Sequence, residues 1–114
     1  MPILKIGSNL IVSIQVELTD LMVEQLQQRI LQEIQRRDAT GLVIDVSGVE
    51  IIDSFVARSI MNTARMAKAM DTRTVVSGIR PEVAITLVEM GFTWSGVRTA
   101  LTLEQAMEVM DSWQ

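Results

Sequence analysis

Residues 41–55 read GLVIDVSGVEIIDSF. The run Leu42–Val46 is short and almost wholly apolar, and its β-branched side chains favour a strand buried on both faces over a helix. Ser47 and Gly48 end it. Asp53 and Ser54 then supply the side-chain oxygens that cap the free N–H groups of a helix start. The helix runs to about Met70, with Ala57, Ile60, Met61 and Ala64 facing inward. A buried strand, a short loop and a capped helix are the opening of a β-α-β crossover, so the stretch predicts a mainly parallel α/β sheet.

The flanking sequence extends the pattern both ways. Upstream, Ile3–Ile6 and Leu10–Ile14 predict a hairpin across Gly7-Ser8-Asn9, adding one antiparallel strand. Thr19 and Asp20 cap a helix reaching about Arg37, with Val23, Leu26, Ile30 and Ile34 at spacings of three and four. Gly41 ends the linker that follows. Downstream, Arg73–Ser77 is a short strand closed by Gly78. Pro81 opens a helix in its first turn, where a missing N–H costs nothing, and Gly91 closes it. Gly96–Ala100 reads as an edge strand. Thr102 caps a last helix with Leu103, Ala106, Met107 and Met110 on one face. Partners are expected at the carboxyl ends of the parallel strands, over Val46–Ser54 and Ser77–Pro81.

The composition of the 114 residues narrows the chemistry. Histidine, cysteine and tyrosine are absent. That excludes Ser-His-Asp and Cys-His catalysis, disulfides, and zinc sites built on His or Cys. Neither a GxGxxG turn nor a P-loop is present. A net charge of −4 argues against nucleic acid. No run reaches the ~18 apolar residues of a membrane span, and the first residues lack the features of a signal peptide. A cytoplasmic location, no cofactor and no metal are expected. A mean hydropathy of +0.30 and eight methionines are high for a small soluble chain, so either the core is large or part of the surface is covered by a partner.

Asp45 and Asp53 together are similar to the acidic pocket of receiver domains, but the next strand lacks the lysine such a pocket needs. Asp45 is instead expected to bond amides of its own loop. Ser54 is the most informative hydroxyl. It lies where helix N–H groups and the dipole favour an anion, and Arg58, four residues on, is placed to pair with a phosphate there. The alternative is that Asp53 and Ser54 are simply caps. At about 100° per residue, Phe55, Arg58, Ser59, Asn62, Arg65, Met66 and Ala69 point away from the core. Phe55 and Met66 among arginines have the composition of an interface, and they are where a covering partner is first expected.

Two motifs carry a family resemblance. GLVIDVSGVEIIDSF resembles the signature of STAS domains, the anti-sigma-factor antagonist fold. Residues 77–91, SGIRPEVAITLVEMG, resemble the stressosome branch. The opening PILK and the hairpin's VSIQ are similar to its small single-domain antagonist, the RsbS type. The resemblance spans nearly the whole chain, read as one domain over 1–114. It implies four or five strands, about four helices mostly on one side, and no catalysis. It implies a scaffold that joins RsbR-type sensor paralogues in a large cytoplasmic complex. An RsbT-type serine/threonine switch kinase would be held there, phosphorylate Ser54 and leave, and an RsbX-type phosphatase would reset the site. Thr86 is a second candidate for modification. Asp53 and Arg58 would support the phosphosite, and Phe55, Arg58, Asn62, Arg65 and Met66 would face a partner. The alternatives are a free anti-sigma-factor antagonist bound to an anti-sigma kinase, and a STAS accessory module for ligand or transport regulation.

Overall fold

The computed structural model describes residues 3–91 and 96–113, so residues 1, 2, 92–95 and 114 of the expected domain lie outside the described residues. Five strands form one sheet in sequence order: β1 (Ile3–Ile6), β2 (Asn9–Ser13), β3 (Gly41–Asp45), β4 (Arg73–Ser77) and β5 (Arg98–Ala100). β1 pairs antiparallel with β2, and every later pair is parallel. The helices are α1 (Asp20–Arg37), α2 (Ser54–Ala69), α3 (Pro81–Glu89) and α4 (Leu103–Ser112). This is the expected order. β2 and β3 begin and end one residue earlier than the apolar runs do, and the next residues stay bonded: Ile14 N–H donates to Asp45 O, and Val46 N–H to Ser77 O.

Alternation along the strands builds a core on each side of the sheet. Leu10, Val12, Leu42, Ile44 and Val76 point one way, into a cluster with Leu26, Ile30 and Ile34 of α1 and Val56, Ile60 and Met61 of α2. Val83 and Ala84 of α3 pack against the same cluster. Ile11, Val43 and Val75 point the other way, onto Ala106 and Met110 of α4. β3 is thus covered on both faces, which is why its sequence runs apolar without alternation. Three helices on one side and α4 on the other agree with the arrangement implied by the resemblance.

Caps decide where the helices begin. Thr19, Asp53 and Thr102 each accept a backbone N–H of the first turn. α1 ends at Arg37, as expected, but the left-handed conformation of the residue after it, Asp38 at φ 53°, was not expected. A short polar side chain tolerates that geometry better than most. α4 also differs: Ala106 and Met110 are buried, Met107 is half-buried and Leu103 is exposed, since only its central part meets the sheet.

The carboxyl ends of β3 and β4 approach closely. Gly78 has φ +87°, and a Cβ there would lie 2.6 Å from the Ser47 nitrogen. Gly91 has the same φ but open space around it. Gly78→Ala is expected to lower unfolding free energy by about 2 kcal/mol or more, and Gly91→Ala by only about 1 kcal/mol. Urea denaturation checks the ranking; equal losses would mean that the contact between the two loops contributes nothing.

Candidate functional site

The site is built on Asp45, the last residue of β3. Parallel register sets it opposite Ser77 of β4. Its Oδ1 accepts from the Ser77 hydroxyl at 2.8 Å, and its Oδ2 accepts from the Ser47 hydroxyl at 2.8 Å. The expectation that Asp45 bonds amides of its own loop is corrected: both partners found are hydroxyls, and one comes from the neighbouring strand. Asp45 is 7 % exposed and Ser77 fully buried. Lys5 lies on β1 and donates to the Arg37 carbonyl, while Lys68 sits in the last turn of α2. Neither makes a receiver-type pocket with Asp45. Among the described residues no group of three or more Asp, Glu, His or Cys is placed to hold a metal ion.

From this anchored strand end the chain runs through a short loop to α2. Val49 is buried, and its N–H donates back to Val46 O. Asp53 caps the helix by accepting from Val56 N–H at 2.9 Å. Its carboxylate is therefore used in holding the helix start. Ser54 is the first helical residue and is half-buried. Its hydroxyl makes no hydrogen bond among the described residues. The Arg58 Nε donates to the Ser54 carbonyl at 3.3 Å.

The packing of α3 beside α2 divides the outer face of α2. Ser54, Arg58, Asn62 and Arg65 line a groove of about 480 Å³, closed on the α3 side by Leu87, Met90 and Gly91. Phe55 and Met66 are not in it. They are 40 % and 43 % exposed on an adjoining ridge, about 100° around the helix from Ser54. The five residues expected to face a partner thus form a polar groove and an apolar ridge. Ser59, expected to point outward, is half-covered beside α1, and its carbonyl accepts from the Thr63 hydroxyl. Thr86 is exposed in the middle of α3, with its hydroxyl donating to the Glu82 carbonyl at 2.9 Å. It has neither the free hydroxyl nor the helix-start position of Ser54.

One feature was not expected. A second groove of about 550 Å³ lies between α3 and the β5–α4 connection, lined mainly by apolar side chains including Ile79, Ala84, Ile85, Val88 and Leu101. Ile85, Val88 and Leu101 are each more exposed than Phe55 or Met66. The signal was present in the apolar content of α3, a short helix with only Leu87 fully buried.

Comparison with known proteins agrees with this architecture. The STAS domain family model matches residues 1–106. RsbS of Moorella thermoacetica, solved as a serine-to-glutamate variant, superposes with a TM-score of 0.83 at 38 % identity, covering 96 % of this chain and 93 % of that one. A chain from a study of the molecular architecture of the stressosome superposes with a TM-score of 0.83 at 39 % identity, with 96 % of each covered. The RsbT co-antagonist protein RsbRD of Bacillus subtilis is 35 % identical over 80 residues, which is 70 % of this chain and 29 % of that protein.

Removing the Asp45 carboxylate leaves the buried Ser77 hydroxyl without its acceptor. Asp45→Ala is expected to cost about 2–3 kcal/mol of stability in urea denaturation. Asp45→Asn keeps an acceptor oxygen and is expected to lose less. A loss near zero for Asp45→Ala would show that the two hydroxyl bonds do not hold the strand ends.

Proposed function

The chain belongs to the STAS domain family, and we propose that it is a non-catalytic scaffold and antagonist subunit of a stressosome-like complex in the cytoplasm. In this reading it assembles with RsbR-type paralogues and retains an RsbT-type serine/threonine kinase. The kinase phosphorylates Ser54 and is released, and an RsbX-type phosphatase resets the site. The likeness to RsbS and to an RsbT co-antagonist supports the assembly and the kinase class.

A single observation carries the choice of residue. The Ser54 hydroxyl stands at the first position of α2, without a hydrogen bond among the described residues, in a groove containing two arginines. The fold has no need of that hydroxyl, because Asp53 already caps the helix. A phosphate there adds roughly −1.5 to −2 charges to a surface formed by Phe55, Arg58, Asn62, Arg65 and Met66. Helix-start N–H groups and Arg58 accommodate it without unfolding α2. Thr86 is the second residue in this scheme, modified less readily because its hydroxyl is already bonded within α3.

Ser54→Ala, incubated with its cognate RsbT-type kinase and ATP, is expected to gain no phosphate and to keep the kinase bound in a pull-down. Ser54→Asp is expected to release part of it. Phosphate incorporated into the Ser54→Ala chain, with release of the kinase, would place the switch elsewhere. Size-exclusion chromatography with an RsbR-type partner separates scaffold from free antagonist: a megadalton particle supports the first, a small heterodimer the second.

A further inference from the structure

The α2/α3 groove has an unusual charge for this chain. The protein carries a net charge of −4, yet the groove is lined by two arginines, an amide and a serine, with no carboxylate. The ion pairs found among the described residues join Arg36 and Arg37 to Glu33 of α1, and neither Arg58 nor Arg65 enters one. Every aspartate and glutamate of the sequence lies within the described residues, and none of them lines the groove or forms an ion pair with its arginines. Among the described residues Arg58 is bonded only to the neutral carbonyl of Ser54, at the long distance of 3.3 Å. Glu89, the nearby acid of α3, lines the apolar groove instead.

Helix geometry gives the two arginines different relations to Ser54. Arg58 is one turn away, about 6 Å along the axis, within reach of a phosphate on Ser54. Arg65 is three turns away, about 16 Å, and out of reach. The guanidinium-bearing residues are thus about 10 Å apart along one groove, and only one of them can be captured from Ser54.

We propose that this groove takes an acidic segment of the partner, with a carboxylate on each of Arg58 and Arg65, and that phosphate on Ser54 displaces the segment by taking Arg58 for itself. This rests on the reading of Ser54 as the phosphosite and adds the partner's chemistry and the means of release. A planar guanidinium forms a bidentate pair with a carboxylate or a phosphate, but it cannot serve both fully at once. The doubly charged phosphate is tethered one turn away and wins. The modification therefore removes one of two cationic contacts as well as adding negative charge.

The test needs no kinase. Phosphoserine is installed at position 54 during translation, and its second pKa is followed by phosphorus NMR. In the otherwise native chain and in Arg65→Gln it is expected about one unit below the ordinary value near 6, and to return toward that value in Arg58→Gln. Separately, fluorescein-labelled hexaglutamate is titrated against the unmodified chain at low salt by anisotropy. Arg58→Gln, Arg65→Gln and phosphoserine at 54 are each expected to weaken binding about tenfold, and Leu21→Ala, on the exposed face of α1, to leave it unchanged. A phosphate pKa indifferent to Arg58, or hexaglutamate binding equal in the native chain and in the double arginine variant, would overturn the proposal. Failure of a kinase to modify Ser54 would instead sink the phosphosite reading and leave both measurements as they are.

Discussion

The Asp45 carboxylate, largely buried, is the contact on which the end of the molecule that carries Ser54 depends. A buried charge is tolerated only when it is well bonded, and here one hydroxyl comes from the same loop and one from the next strand. The pair Ser47 and Ser77 therefore fixes both the register of β3 against β4 and the path of the chain leaving β3. Gly78 completes the arrangement by letting the β4–α3 connection touch Ser47. With that end held, the loop reaches Asp53 at a constant place, and Asp53 starts α2 so that Ser54 faces the groove.

Much of this was legible in the sequence, because it depends on local rules. Apolar runs with β-branched residues marked β2, β3 and β4, and capping residues marked the starts of α1, α2 and α4. The singular place of Ser54 followed from the same capping logic. What was not legible depends on register or on distant packing. The partners of Asp45 required knowing that Ser77 lies opposite it, a consequence of strand pairing across 32 residues. The division of α2 into groove and ridge required the position of α3. Periodicity placed Arg58 and Phe55 on one outward arc, and only the neighbouring helix separates them. Asp38 escaped notice because glycine is the residue usually expected to end a helix in the left-handed conformation.

The high mean hydropathy also has a structural counterpart, in a different place from the one expected. Phe55 and Met66 are exposed, but the larger apolar exposure lies along α3 and the β5–α4 connection, at Ile85, Val88 and Leu101. In the proposed scaffold these two regions have separate work. The arginine groove and its ridge meet the partner that phosphate controls, and the apolar groove is a surface that assembly would shield from water. A switch on α2 then alters one contact without loosening the other.

In the proposed scheme, phosphate on Ser54 by itself changes the chain's affinity for its kinase. This is tested most directly by calorimetric titration of that kinase onto two otherwise identical proteins, one unmodified and one carrying phosphoserine at position 54. Binding is expected to weaken about a hundredfold with the phosphate, equivalent to ~3 kcal/mol. Equal affinity for the two proteins would contradict it.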